Sequence, residues 1–161
     1  MPNEDLTQLS VSQLAPHVQR RDISPIEVAE AFIRCIDALE PRLNAFITRL
    51  DEYALQAARE AEEEILNGDY RGPFHGIPVG LKDLFWTKDI RTTSGSLIDG
   101  VFVPTEDSAV ASRIKAAGAY CIGKLHMTEF AFDGTSLNRH YGPARNPWDL
   151  TRMAGGSSSG R

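Results

Sequence analysis

Gly76-Ile77-Pro78-Val79-Gly80-Leu81-Lys82-Asp83 is an apolar run of strand length that stops on a lysine and an aspartate. Ile77 to Leu81 predicts a buried strand, and Ala119-Tyr120-Cys121-Ile122 predicts a second. Between them Asp107 to Ala117 has helical spacing, with Val110 and Ile114 expected on the inner face. A strand, a helix and a further strand imply an α/β chain whose parallel or mixed sheet is covered by helices.

Upstream, residues 1–70 read as mainly helical. Ser24-Pro25-Ile26-Glu27 joins a capping serine, a proline at the first helical position and a glutamate that completes a capping box. Ile26, Ala29, Ile33 and Ile36 follow at helical spacing and are expected to pack inward, and Pro41 is expected to close the helix. Asn44 to Leu50 (NAFITRL) is a strand candidate. Asp51 is expected to cap a helix through Ala54, Ala57, Ala58, Ala61 and Ile65 that ends near Gly68, and the four acids from Glu60 to Glu64 read as its solvated face. Downstream, Asn138 to Arg161 is loop-like, with Gly142-Pro143, Asn146-Pro147 and a closing Gly/Ser run. That run stops with no element after it to pack or cap, which reads as a chain that continues past Arg161.

The 161 residues carry 17 bases and 22 acids, a net charge of −5, and are 42% apolar, the composition of a globular protein rather than a disordered or collagen-like one. Residues 1–70 are net −8 and residues 71–161 net +3, and neither half has a Lys/Arg stripe interleaved with aromatics. No direct nucleic-acid contact is therefore expected. No run of about 18 apolar residues occurs, so no membrane span is expected, and the acidic, polar start lacks the chemistry of a secretory signal. Cys35 and Cys121 are too few for a disulfide framework and have no metal-ligand neighbours, which points to reduced, buried thiols in a cytoplasmic protein.

Four arrangements bear on chemistry. Gly155-x-x-x-x-Gly160-Arg161 nearly matches a phosphate-binding loop but has arginine where lysine must reach the phosphates. Ser112-Arg113-Ile114-Lys115 has the S-x-x-K pattern of serine acyl-enzymes, yet both side chains are expected to face water, where lysine stays protonated. His17, His75, His126 and His140 lack H-x-x-x-H spacing and read as surface or satisfied core positions, with no metal site. Lys82, at a strand end, is the fourth. Burial there disfavours the charged amine, and a neutral amine accepts a serine proton. The structural alternatives are an ion pair with Asp83 or a stem that snorkels to water.

Gly76 to Asp83 and Gly155-Gly156-Ser157-Ser158-Ser159-Gly160 resemble two hallmarks of the amidase signature family. Between them, in the family's order, stand Thr92-Thr93-Ser94-Gly95-Ser96, Ala116-Ala117-Gly118-Ala119, Gly123-Lys124, Met127-Thr128-Glu129-Phe130-Ala131 and Gly142 to Trp148 (GPARNPW). The interval of 75 residues from Lys82 to Ser157 suits the alignment. The resemblance covers residues 5–161, weakly in the helical part and strongly over 72–161.

It implies the N-terminal part of an α/β/α layered fold with a mixed sheet, preceded by helices, within a single amidase domain spanning 1–161. It also implies a Ser–cis-Ser–Lys triad that cleaves amide bonds without a metal or organic cofactor. Lys82 matches the base, and Ser157 matches the bridging serine that follows a cis bond, here to Gly156. The acylated serine and the oxyanion donors lie in a later Gly-Gly-Ser segment absent from this chain. The chain then holds two of three triad members and about a third of an enzyme, and is expected to be inactive alone. Phe130, Asp133 and Thr135 match the border of the substrate pocket. The expected partner is a small-molecule amide. A rival is the glutamine-hydrolysing subunit of a tRNA-dependent amidotransferase, which works with partner subunits. That branch usually has Met-Asp-Glu-Phe where this chain has Met127-Thr128-Glu129-Phe130, so Thr128 favours a stand-alone amidase. A second rival is a non-catalytic binding protein, against which Lys82 and Ser157 both argue.

Overall fold

Side-chain caps set the helix starts. In the computed structural model, which describes residues 5–160, Ser24 N–H donates to Glu27 Oε2 at 2.8 Å and Ile26 N–H to Ser24 Oγ at 3.0 Å. This capping box opens α2, Pro25–Leu43. The preceding α1, Val11–Gln19, starts from Ser10, whose N–H donates to Gln13 Oε1 at 2.9 Å. Residues 1–4 of the polar start and Arg161 of the phosphate-loop-like run lie outside the described residues.

Pro41 does not close α2. The helix runs on to Leu43, because Pro41 forfeits only its own N–H bond while Asn44 N–H still reaches Glu40 C=O at 2.9 Å. It stops where Asn44 turns left-handed, at φ 53°. The Glu40 carboxylate then accepts the N–H groups of Ala45 and Phe46, each at 2.9 Å, and sends the chain into β1, Phe46–Arg49. The inward face of α2 also differs from expectation. Pro25, Val28 and Ala29 are buried, while Ile26, Ile33 and Ile36 are half-buried. Next comes α3, Asp51–Asn67, which buries Ala54, Ala58, Ala61 and Ile65 and ends on left-handed Gly68.

The acids of α3 are not all solvated. Glu64 is half-buried, takes buried His75 Nε2 at 2.9 Å and is bonded by Arg71. His75 Nδ1 accepts Arg71 N–H at 3.1 Å, so the ring is held from both sides.

After β2, Pro78–Lys82, come α4, Ala109–Ala116, and β3, Tyr120–Leu125. On α4 the buried residue is Ala111, and Val110, about 100° round the helix, is exposed. The strand order is β1-β3-β2. β1 runs antiparallel to β3, pairing Thr48 with Lys124 and Arg49 with Gly123. Tyr120 N–H donates to Ile77 C=O, and further along Asp83 N–H donates to Leu125 C=O, so β2 and β3 ascend together and the sheet is mixed.

The described residues fall into two compact units, one within 5–38, 50–79 and 113–122, the other within 39–49, 80–112 and 123–160. The first is built on buried Leu14, Val18, Val28, Ile65 and Ile77, with Ile23, Phe32 and Tyr70 packed against them. In the second, His126 is buried, its Nε2 donates to Gly142 C=O at 2.8 Å, and its Nδ1 accepts no hydrogen bond. Cys121 is buried and Cys35 half-buried. Among the described residues no helix is long and apolar enough to cross a membrane.

Two stability predictions follow from these cores. Leu14→Ala is expected to cost about 2–5 kcal/mol, read as a lower denaturant midpoint at unchanged slope, whereas exposed Glu63→Ala leaves the midpoint in place. Burial holds both His75 and His126 below the ordinary histidine value. The unfolded chain then binds more protons than the folded one as pH falls below about 6.5, so stability drops on acidification. A His75→Gln/His126→Gln chain is expected to show a flatter decline between pH 7 and 5, and a urea-unfolding free energy with the same pH dependence as the unmodified chain would count against this.

Candidate active site

Lys82 is the last residue of β2, and its Nζ lies 2.6 Å from Ser157 Oγ, across 75 residues of sequence. The side chain is half-buried, and burial lowers its pKa below the ordinary lysine value. Asp83, the next residue, turns the other way and is fully buried. It does not pair with Lys82. Its Oδ2 accepts Thr93 N–H at 2.9 Å and a short bond from the Thr93 hydroxyl, and its Oδ1 lies 3.7 Å from Lys124 Nζ.

Ser157 is placed by backbone. The Gly156–Ser157 peptide is cis. Ser157 C=O accepts Thr128 N–H at 3.2 Å, and the N–H groups of Ser159 and Gly160 both reach His126 C=O at 3.0 Å. Two glycines in this run are required by close approach. A Cβ on Gly156 would stand 1.8 Å from Thr135 C=O, and one on Gly160 would stand 2.0 Å from Ala45 C=O. Both obstructions are backbone, which has no rotamer with which to give way. Ser136 Oγ adds a bond from Ala154 N–H at 3.0 Å and donates to Ala144 C=O at 2.7 Å.

The segment from Thr128 onward shapes a cleft of about 560 Å³ lined in part by Phe130, Phe132, Asp133, Leu137, Arg139 and Pro143. Phe130 and Ala131 are both left-handed, at φ 50° and 59°, and Phe130 N–H donates to Ser94 C=O at 2.8 Å. Consecutive non-glycine residues in that region are costly and need surrounding structure to hold them. Of the three residues assigned to substrate, Phe130 and Asp133 line the cleft. Thr135 does not, because its N–H and hydroxyl both turn back on Asp133 Oδ1 at 2.7 Å. Those two bonds hold the Asp133 carboxyl below the usual carboxylate range, the side-chain bond contributing most.

Two groups stood in the quoted motifs without a role. Glu129 Oε1 accepts Ser96 Oγ at 2.7 Å and contacts His140 Nε2 at 3.0 Å, beside the cleft. Lys124 is fully buried and donates to Phe85 C=O at 2.7 Å, Thr92 Oγ1 at 2.6 Å and Thr87 Oγ1 at 3.3 Å. A lysine inside the otherwise apolar run Ala119 to Leu125 was the available signal for it. The S-x-x-K pair does not form a site: Ser112 is exposed on α4 and Lys115 half-buried. Among the described residues no group of three His, Cys, Asp or Glu side chains is arranged to hold a metal ion.

The family profile described as Amidase matches residues 27–161. A glutamyl-tRNA(Gln) amidotransferase subunit from Methylococcus capsulatus is 42% identical over 151 residues, covering 94% of this chain and 31% of that protein. The corresponding subunit from Azoarcus sp. BH72 is 47% identical over 151 residues, with the same coverage. Among solved structures, the peptide amidase of Stenotrophomonas maltophilia superposes with TM-score 0.88 at 33% identity, over 95% of this chain and 33% of that one. A fatty acid amide hydrolase superposes with TM-score 0.91 at 28% identity, over 96% and 27%. The chain spans about a third of the length of the curated relatives it matches. With its mixed sheet, its helices and the ordered run of motifs from Gly76 to Gly160, the chain belongs to the amidase signature family.

Proposed function

We propose that Lys82 and Ser157 are the base and the relay of an amide-bond hydrolase acting in the cytoplasm, carried by this chain as part of a longer enzyme. The observation that carries the reading is the 2.6 Å contact between Lys82 Nζ and Ser157 Oγ. With the amine neutral, the same geometry lets Nζ accept the Ser157 proton while Ser157 Oγ accepts that of a nucleophilic serine. The nucleophile attacks the amide carbonyl, and the tetrahedral oxyanion needs backbone N–H donors. Return of the proton through Ser157 releases the amine, and water frees the acid. In this reading the nucleophile and the oxyanion donors come from a Gly-Gly-Ser segment beyond residue 161. The strained turn at Phe130 and Ala131 and the cleft beside it support a substrate-facing role for Phe130 and Asp133. Thr135 acts on substrate only through its hold on Asp133.

A second reading has glutamine as the amide and partner subunits that receive its ammonia. It is favoured by relatives more than 40% identical that are named as amidotransferase subunits. Thr128 argues against it less than its sequence position implied. Its side chain is buried and donates to Asp133 C=O at 3.3 Å, so the residue closes a turn. Ammonia released from glutamine but not from simple carboxamides would select this second reading.

In the complete gene product, Lys82→Ala and Ser157→Ala are each expected to lower kcat by about 100-fold or more with the fold intact. Folded variants with unchanged kcat/KM would overturn the relay. Because burial lowers the Lys82 amine, the rate is expected to rise with pH through a value below the ordinary lysine figure of about 10.4, and Lys82→Ala removes that limb. The 161-residue chain alone is expected to release no ammonia above a buffer blank, and turnover by it that Ser157→Ala abolishes would sink the missing-nucleophile part of the proposal.

A further inference from the structure

The carboxylate nearest to Lys82 in sequence is its neighbour Asp83, and a carboxylate facing the amine would favour its charged, non-basic form. The fold prevents this in two steps. Asp83, the first residue past β2, is held by Thr93 rather than by Ser157, and a second lysine meets it there. We propose that Lys124 is a positioning residue for Lys82: it closes an ion pair with Asp83 behind β2, so that the amine facing Ser157 has no anion to hold its proton.

The geometry is specific. Lys124 and Asp83 are both fully buried, 3.7 Å apart. Asp83 Oδ1 accepts no hydrogen bond, so the Lys124 charge is what stabilises that oxygen, while Thr93 saturates Oδ2. Burial raises the Asp83 carboxyl above the ordinary aspartate value; the Thr93 bonds oppose this, and the charged groups that oppose it are Lys124 from β3 and, less strongly, Arg91 from the loop after β2. Arg91 is itself committed to Gly100 C=O at 2.6 Å, Thr48 Oγ1 at 3.0 Å and Tyr141 OH at 3.0 Å. Lys124 is locked by Phe85 C=O and by the hydroxyls of Thr87 and Thr92, so it cannot swing to the Ser157 side. On that side the hydrogen-bond partner of Lys82 is a neutral hydroxyl, and burial lowers its amine with no charged side chain contributing. A buried pair of opposite charges cancels at a distance, whereas either member alone would not.

This role rests on the Lys82 base proposed above, and the test separates the two. The Lys82 pKa is read directly from its ε-carbon NMR shift during a pH titration of the complete gene product, assigned by the loss of that signal in Lys82→Arg. Lys124→Met leaves Asp83 unneutralised and is expected to raise the Lys82 pKa by about one pH unit. Asp83→Asn leaves the Lys124 charge unmatched and is expected to lower it by a similar amount. The Asp83→Asn/Lys124→Met chain is expected to return close to the original value. A merely structural role gives no reason for shifts of opposite sign that cancel in the double variant. Should Lys124→Met fail to fold, Asp83→Asn and the double variant still decide the matter. A depressed Lys82 value that neither of them moves overturns the role of Lys124 and leaves the base reading standing. An ordinary lysine value in the unmodified chain overturns the base reading itself.

Discussion

At the end of β2, Lys82 and the residue that follows it, Asp83, are committed to different partners. Much of the second unit is arranged around this one division. On one side Lys82 reaches Ser157. On the other, Asp83 gathers Thr93 and Lys124, and Lys124 in turn ties down Phe85, Thr87 and Thr92, so the loop leaving β2 is pinned at five residues behind the strand. A one-residue slip in β2 would exchange the two side chains and place a carboxylate against Ser157. The parallel bond from Asp83 N–H to Leu125 C=O, adjacent to Lys124, holds that register.

Ser157 meets Lys82 because its loop is carried mostly by backbone, with one side chain, Ser136, assisting. The run from 154 to 160 contains no helix or strand, yet it bonds to His126, Thr128 and Ser136 over a few residues. Two of its glycines lie so near carbonyls at Thr135 and Ala45 that no side chain fits. Without a side chain the loop comes close against those carbonyls, and the N–H groups of Ser159 and Gly160 are met by His126 C=O. The buried Ser159 and Ser136 belong to that packing, and Ser157 is the serine of the run whose hydroxyl reaches the lysine.

What was legible in the sequence depended on whether a local rule or a distant partner decided the outcome. The Ser24–Glu27 capping box, the Gly68 stop and the strands around Val79 and Cys121 follow from neighbours in sequence, and they stand where those neighbours put them. Pro41 misled because a proline in the last turn removes one bond without preventing the next. Val110 misled because burial on α4 favoured the smaller Ala111. Glu64 stood among four acids that looked alike, and only the folded position of His75, eleven residues on, distinguishes it. For the site, local reading offered Lys82 as a strand-end base, but its pairing with Ser157 emerged from motif resemblance, since nothing local announces a contact across 75 residues.

Lys124 shows the same limit most clearly. In sequence it is one cation in an apolar strand, an anomaly that burial statistics flag without interpreting. Its meaning depends on Asp83, for which local reading offered the adjacent Lys82 as one alternative partner. Adjacency along a strand is a poor guide to pairing: neighbours diverge, whereas residues on neighbouring strands converge. The relevant distance is the 3.7 Å between Asp83 and Lys124, which lie 41 positions apart. A buried lysine–aspartate pair is weak grounds for stability, since apolar replacements often serve as well. Its position beside Lys82, the proposed base, fits an electrostatic function better than a structural one. It supplies a carboxylate to anchor Thr93 and the loop after β2 while presenting no net charge to the amine beside Ser157.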